Sequence, residues 1–329
     1  MESLTHLFNA KRIWFSLAIV LLLFLPLLVK NDYYLGLVVM VMMWSVMGMS
    51  WNLLGGYAGQ VSFGHALFFG VGAYTSCLLH VKLGVSLWAG LVIAGVAGAL
   101  ISVPIGLICF RLRGPYFALS VLAFSEVMRL LTLHWKSLTE GAVGILLIFP
   151  VVDSKAGFYY LILAILLLAI LAIYFLVRSR AGYYFVAIRE DENAAEALGI
   201  HPVKYKLFAL VVSAFFTGVM GSFYANYTNF IDPYIVFSIV DVSIAVVLMV
   251  ALGGIGTFWG PAIGAAVVVL LSEGLRTAFA EVHVLVYGML IILVILFLPQ
   301  GIAGGIGGLF NKSSKKNGST DTKEQPNAA

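Results

Sequence analysis

Few residues of this chain have the type and spacing that enzymatic chemistry requires. The six histidines are scattered, and none forms the His-x-x-x-His pair with which one helix face binds zinc. The sequence has no Cys-x-x-Cys pair, no Gly-x-Ser-x-Gly nucleophile motif and no glycine-rich phosphate loop ending in Gly-Lys. We therefore predict that the chain is not an enzyme, holds no metal ion and binds no nucleotide itself.

The polar residues of most interest lie inside apolar runs, because polar groups are costly in hydrocarbon and are either paired or functional there. Gln60, Ser62 and His65 cluster at the start of one apolar run. They form a candidate translocation path for a small solute. The alternative is that they only bond to backbone groups freed by the neighbouring glycines.

Charged residues inside the apolar runs occur mainly in pairs. Glu126 and Arg129 are three residues apart, and Glu273 and Arg276 repeat this spacing. Residues three apart lie on one helix face, so each pair is predicted to form an ion pair inside the bundle. Asp241 has no such partner and is predicted to lie at the membrane interface.

The composition identifies the class of protein. Of 329 residues, 62% are hydrophobic and only 10% are charged, whereas soluble domains carry about 25% charged residues. We expect an all-α integral membrane protein, a polytopic bundle of about 8–10 transmembrane helices. Cys77 and Cys109 stand in apolar runs and are expected to be buried small hydrophobes rather than a disulfide or metal site.

Ten apolar segments approach the 20 or so residues that a spanning helix needs. They are residues 13–29, 35–54, 61–81, 85–110, 115–133, 157–177, 207–226, 235–252, 261–280 and 283–299. The segments at 61–81 and 261–280 are rich in small and polar residues, which makes a broken or re-entrant helix an alternative for each.

Basic residues set the expected orientation. If the ten segments alternate, Lys11, Arg12, Arg111, Arg113, the interval 178–206 and the lysines of the C-terminal tail share one side. The positive-inside rule places that side in the cytoplasm, with both termini inside. We divide the chain into a cytoplasmic segment 1–12, a transmembrane domain 13–303 that includes the loop 178–206, and a disordered cytoplasmic tail 304–329. Since basic residues concentrate in loops and tails, the net charge of +4 gives no reason to expect nucleic-acid binding.

The longest polar interval inside the hydrophobic body, residues 178–206, is predicted to contain one short helix. Asn193 suits its N-cap, with Glu196 three residues later as the capping-box partner. Gly199 suits the left-handed C′ position, and Pro202 prevents continuation. The predicted exposed face consists of Ala194, Ala195, Ala197 and Leu198.

Charged residues flank this small apolar face, namely Arg189, Glu190, Asp191, Glu192 and Glu196. An apolar centre with a polar rim suits docking into a groove of another protein. The alternative is that the loop helix lies on the membrane surface and binds nothing.

Two glycine-rich stretches follow apolar segments. The first glycine junction, residues 54–65, contains Gly55, Gly56, Gly59 and Gly64. The second glycine junction, residues 252–261, contains Gly253, Gly254, Gly256, Gly260 and Pro261. Glycines there suit a hinge in an alternating-access transporter, and close helix packing would select them equally well. The two junctions are either a weak parallel repeat or independent glycine-rich turns.

The interval also carries a family resemblance. Residues 189–200, Arg-Glu-Asp-Glu-Asn-Ala-Ala-Glu-Ala-Leu-Gly-Ile, resemble the cytoplasmic "EAA" loop of permease subunits in ATP-binding-cassette (ABC) importers, in its branched-chain amino-acid version. Asn193 departs from the general motif, because it separates Glu192 from the alanine pair. Four further blocks, at 59–74, 111–118, 252–261 and 298–301, resemble the branched-chain amino-acid ABC permease family, and most closely its M-type member.

The resemblance implies a permease subunit for branched-chain, aliphatic amino acids in the bacterial inner membrane. Its implied partners are a second homologous permease, two cytoplasmic ATPases that bind ATP and Mg²⁺, a periplasmic or lipid-anchored binding protein, and membrane lipids. The implied ATPase-coupling residues are Arg189, Glu190, Glu192, Asn193, Ala194, Ala195, Glu196, Leu198 and Gly199. Permeases for urea, short amides or other amino acids share the architecture. An ion-coupled secondary transporter using Glu126 or Asp241 is a further alternative.

Overall fold

The computed structural model describes residues 22–27, 31–112, 114–147, 154–278, 288–289 and 301–302. Within them, eight helical segments are long and apolar enough to cross a membrane. The predicted all-α, multi-pass architecture is therefore confirmed. The predicted segments 13–29 and 283–299 lie mostly outside the described residues, and the predicted terminal segments 1–12 and 304–329 lie wholly outside them.

The elements follow in chain order. Helix α1 spans Asp32–Asn52 and continues into a π-helical turn, Leu53–Tyr57. Next come α2 (His65–Leu83), α3 (Leu87–Cys109), α4 (Pro115–His134), α5 (Lys136–Thr139), a 3-10 turn (Gly141–Val143) and β1 (Ile145–Leu146). They are followed by α6 (Lys155–Arg178), α7 (Arg180–Glu190), α8 (Glu192–Ala197), α9 (Pro202–Thr228), β2 (Phe230–Ile231) and α10 (Pro233–Val236). A second π-helical turn (Ile239–Ile244), α11 (Ala245–Gly253) and α12 (Gly260–Ala278) complete the described fold.

Helices α1 and α9 form the centre of the bundle and are its most buried long helices. Helix α9 packs on α2, α3 and α1, while α1 also packs on α6 and α12. Strands β1 and β2 pair antiparallel, with Ile145 opposite Ile231. The described helices alternate in direction, so the glycine junctions and α7–α8 lie at one end, which we call the coupling end. The paired strands lie at the other.

Glycines allow α2, α3 and α9 to pack with their backbones in contact. A Cβ on Gly72 of α2 would overlap the carbonyl oxygen of Gly218 on α9, and a Cβ on Gly218 would lie 2.6 Å from the carbonyl oxygen of Ala94 on α3. Small residues at crossing points let membrane helices approach this closely. These contacts fix the positions of the three helices relative to one another.

The helices differ from the sequence prediction in where they are irregular. The segments predicted at 61–81 and 261–280 form uninterrupted helices from His65 to Leu83 and from Gly260 to Ala278. The irregular backbone is instead in the two π-helical turns, one of which contains Gly55 and Gly56.

Both predicted ion pairs form, but they do not lie inside the bundle, because Glu126 is 38% and Arg276 63% exposed. Arg129 donates two hydrogen bonds to Glu126, one from Nε to Oε2 at 2.9 Å. Arg276 Nη2 donates to Glu273 Oε1 at 2.9 Å.

Asp241 was expected to be without a local partner, and this is wrong, because the Ser238 hydroxyl donates to Asp241 Oδ2 at 2.6 Å. Cys77 and Cys109 are both buried free thiols, as predicted.

Candidate functional site

The interval between α6 and α9 folds as two helices rather than the one predicted. Helix α7 buries Gly182, Phe185 and Ile188, while most of its other side chains remain at least partly exposed. This three-residue spacing gives α7 an apolar stripe that packs on the ends of α6 and α9. The second helix, α8, follows after a single extended residue, Asp191.

Asp191, and not Asn193, is the N-cap of α8. Its Oδ1 accepts hydrogen bonds from the backbone N–H of Asn193 at 2.9 Å and of Ala194 at 3.0 Å. The predicted cap was therefore two residues too late, and Ala194 rather than Glu196 occupies the N3 position. A carboxylate at this position also interacts favourably with the positive end of the helix dipole.

The C-terminus of α8 agrees with the prediction. Gly199 has a φ of +84°, in the left-handed region. Its N–H donates to Glu196 O at 2.9 Å, and Ile200 N–H donates to Ala195 O at 3.1 Å. This pair of bonds is a Schellman motif. Pro202 then begins α9.

One face of α8 is fixed to the bundle by a residue that the sequence analysis missed. Lys206, in the second turn of α9, is almost fully buried, and its Nζ lies 2.6 Å from Glu192 Oε2. Ala195 was predicted to be exposed, but it is only 3% exposed and also faces the bundle. Glu192 and Ala195 therefore anchor α8 in this structure. The exposed members of the predicted set on α8 and its C-terminus are Asn193, Ala194, Glu196, Ala197, Leu198 and Gly199.

Arg189 connects α7 to the first glycine junction. Its Nη1 donates to the carbonyl oxygen of Gly56 at 3.0 Å, while Nε and Nη2 donate to Glu190 Oε1 at 3.1 and 2.6 Å. The aliphatic part of the side chain lies over Gly59, where a Cβ would be 2.7 Å from Arg189 Cγ. Arg189, whose side chain is 37% exposed, thus contacts both the bundle and the surface residue Glu190.

The two glycine junctions contact each other beneath Arg189. Asn52 Oδ1 accepts a hydrogen bond from Gly256 N–H, and Asn52 Nδ2 donates to Thr257 O, both at 2.8 Å. A Cβ on Gly56 would lie 2.6 Å from Gly256 N. We call these residues, Asn52, Gly56, Gly256 and Thr257, the junction contact. The sequence analysis missed Asn52. The available signal was a polar residue near the end of an apolar run, three residues before the pair Gly55-Gly56.

The other predicted junction residues are closely packed. A Cβ on Gly55 would meet the Trp51 ring, one on Gly64 would meet Val121, and one on Gly253 would meet Gly260 O. Gly254 and Gly256 have φ values of +124° and +74°. Pro261 is buried, and Gly260 lies against the carbonyl oxygens of Gly253 and Gly254. Packing and backbone conformation both require glycine in this region. A hinge function stays a prediction.

The candidate path residues lie mainly inside the chain. Ser62 and His65 are fully buried. Ser62 Oγ accepts from Gly64 N–H at 3.3 Å, and Ser62 O accepts from Trp51 Nε1 at 2.8 Å. His65 Nε2 lies 2.9 Å from Ser213 Oγ. Gln60 is partly exposed, and its backbone N–H donates to Leu54 O. Ser62 Oγ therefore bonds to the backbone of a neighbouring glycine, as the structural alternative predicts, whereas His65 bonds to another side chain. A role in translocation remains a prediction.

The geometry of the coupling end is suited to transmitting motion. Within the described residues, no three His, Cys, Asp or Glu side chains are grouped so that they could hold a metal ion. The site consists of a capped surface helix with one exposed face and two attachments to the bundle, at Lys206 and Arg189. Helices α1, α9 and α11 all end or begin at these attachments.

The family of the chain follows from a direct comparison with known families. Residues 33–295 match the family model described as "Branched-chain amino acid transport system / permease component". The chain belongs to this family. The match covers nearly all of the eight described spans and includes residues 189–200 and the blocks at 59–74, 111–118 and 252–261, and it confirms the resemblance.

Three curated relatives of the chain are named as permease proteins. This permease is 30% identical over 292 residues to the "High-affinity branched-chain amino acid transport system permease protein LivM" of Salmonella typhimurium, covering 80% of this chain and 68% of the relative. The Escherichia coli K12 protein of the same name is 30% identical over 290 residues, with coverages of 79% and 68%. A probable LivM of Methanocaldococcus jannaschii is 24% identical over 323 residues, with coverages of 81% and 93%. No solved structure matches the chain.

Proposed function

We propose that this permease is a membrane subunit of an ABC importer that carries branched-chain amino acids across the bacterial inner membrane. Separate cytoplasmic ATPases supply the energy. The observation that carries the proposal is α8, a capped helix whose inner face is bonded to the bundle while its outer face is free to bind a partner. A second permease and an external substrate-binding protein complete the proposed assembly in the lipid bilayer.

The exposed face of α8 has the properties of a docking surface. Leu198 is 82% exposed, and Ala194 and Ala197 are exposed beside it. Glu190 and Glu196 lie at the edges of this face. An exposed leucine among small residues offers a protein partner an apolar contact, and the charged rim gives it orientation.

Charge supports a cytoplasmic location for α8. The coupling end carries Arg111, Arg178, Arg180, Arg189 and Lys204. At the opposite end Lys82, Lys136 and Lys155 are joined by Arg129 and Arg276, but these two arginines are neutralised by Glu126 and Glu273. By the positive-inside rule the coupling end faces the cytoplasm, where ATP is available.

The charged residues of the spans favour an ATP-driven permease over an ion-coupled transporter. The two carboxylates suggested as coupling sites, Glu126 and Asp241, are bonded to Arg129 and Ser238. The names of the relatives in Salmonella typhimurium and Escherichia coli support a branched-chain amino acid as substrate. Urea and short amides are the substrates to test beside it.

The test uses two exposed residues matched in accessibility. Leu198, 82% exposed, lies at the coupling end, and Val143, 80% exposed, lies in the 3-10 turn at the opposite end. We expect Leu198→Glu to lower copurification of the ATPases and ATP-dependent leucine uptake by about tenfold or more, because a charge enters an apolar contact. Val143→Glu is expected to keep the ATPases bound. Leucine uptake by vesicles that lack ATP but hold an ion gradient would contradict the proposal.

A further inference from the structure

Arg189 belongs to the loop proposed to couple ATP hydrolysis to transport, and its guanidinium has two partners, since Nε and Nη2 bond to exposed Glu190 while Nη1 bonds to Gly56 in the bundle. Arg189 is the second-last residue of α7. It bonds to Gly56, which is 133 residues away in the chain. A residue that only served docking would have no need of this contact.

The guanidinium lies where both glycine junctions meet. Nη1 donates to Gly56 O at 3.0 Å, and a Cβ added to Gly256 would lie 3.0 Å from the same nitrogen. The side-chain stem covers Gly59 of the first junction. One arginine therefore contacts the connection between α1 and α2 and the connection between α11 and α12.

Asn52 bonds the two junctions to each other. It is 2% exposed, and its amide is bonded through both Oδ1 and Nδ2 to the second junction. A force applied to Gly56 through Arg189 is therefore passed across Asn52 to Gly256 and Thr257. Because the two junctions connect α1 to α2 and α11 to α12, Arg189 is linked through them to the ends of four membrane helices.

Helix α8 follows the same arginine closely in the chain. Only Glu190 and Asp191 separate Arg189 from α8, and Asp191 is held by its two capping hydrogen bonds. Displacement of α8 must therefore carry the end of α7 with it.

We propose that Arg189 is a positioning residue that transmits displacement of α8 to the junction contact, and through it to α1, α2, α11 and α12. This inference rests on the proposed function, since it assumes that a partner displaces α8. It assigns Arg189 to transmission and leaves binding of the ATPases to the exposed face around Leu198.

The experiment compares Arg189→Met, Arg189→Lys and Arg180→Ala in the complete transporter reconstituted in vesicles. Methionine keeps a stem over Gly59 but has no donor for Gly56 O, whereas lysine keeps one donor. Arg180, exposed on the same helix, is the control for the loss of a positive charge. Copurified ATPase, ATP hydrolysis and leucine uptake are measured for each protein.

We expect Arg189→Met to keep the ATPases bound and hydrolysing ATP while uptake falls about tenfold, within the usual range of coupling between sites. The ATP hydrolysed per leucine transported would rise by the same factor. Lysine should restore most of the uptake, and Arg180→Ala should resemble the native protein. If Arg189→Met does not accumulate in membranes, Arg189→Gln is used instead. The glutamine side chain is too short to reach Gly56 O, so uptake should again fall while the ATPases stay bound.

Two results would overturn the inference. Native uptake in Arg189→Met would show that the contact transmits nothing. Loss of the ATPases from Arg189→Met but not from Arg180→Ala would make Arg189 a docking residue. Failure of the proposed function is seen separately, as retention of the ATPases by Leu198→Glu or as uptake without ATP.

Discussion

Lys206 Nζ and Glu192 Oε2 lie 2.6 Å apart, so that a lysine side chain only 4% exposed is neutralised by the first residue of α8. A buried charge without a partner is strongly unfavourable, so this pair determines where α8 lies on α9. The position of the exposed face of α8 follows directly from it.

Breaking this pair is expected to release α8. Glu192→Gln leaves the buried ammonium without its counter-charge and should cost about 3 kcal/mol of stability. The double variant Glu192→Gln with Lys206→Met removes both charges and should recover most of that loss. Thermal unfolding in detergent and protease cleavage between α7 and α9 measure the effect. Glu196→Gln, at an exposed carboxylate of the same helix, is the control, and an equal loss there would contradict the assignment.

The N-cap of α8 can be tested at Asp191. Asp191→Ala removes the acceptor for Asn193 N–H and Ala194 N–H and should cost about 1 kcal/mol of local stability. Asp191→Asn keeps an oxygen acceptor and should be nearly neutral. Hydrogen exchange at the amides of residues 193 and 194 is the direct measurement. Unchanged protection in Asp191→Ala would mean that another residue caps the helix.

Gly199 allows backbone strain to be separated from crowding. It has a φ of +84° and no atom within 4 Å of an added Cβ, so Gly199→Ala should cost about 1 kcal/mol through backbone conformation alone. Gly84, at the C-terminus of α2, has a φ of +63° and equally open surroundings. Gly84→Ala should therefore lower stability by a similar amount but leave ATPase binding unchanged. Gly199→Ala should weaken ATPase binding as well, because it displaces Leu198. Equal ATPase binding by the two variants would argue against a role for the C-terminus of α8.

Sequence alone predicted the membrane spans because hydropathy is a property of each segment by itself. The pairs Glu126–Arg129 and Glu273–Arg276 were equally predictable from the sequence, because the two residues of each pair lie on the same helix face. The C-terminus of α8 was predictable because Gly199 is one of the few residue types that readily adopts a left-handed conformation.

The details of the coupling end could not be predicted in the same way. Asp191 and Asn193 are both good capping residues, and only the presence of α7 before Asp191 decides between them. A helix of six mostly small residues shows no apolar periodicity, so nothing local indicates that Ala195 is buried and Leu198 exposed. The bonds from Asn52 to Gly256 and from Arg189 to Gly56 join residues 204 and 133 positions apart. They depend on the packing of the whole bundle.

The backbone contacts of Gly72, Gly218 and Ala94 have a consequence for how the transporter changes shape. At these crossing points no side chains separate α2, α3 and α9, so sliding or rolling there would bring backbone atoms into steric overlap. We therefore expect these three helices to travel as one block. The relative movement that opens and closes a carrier is left to the boundaries between that block and the helices around it.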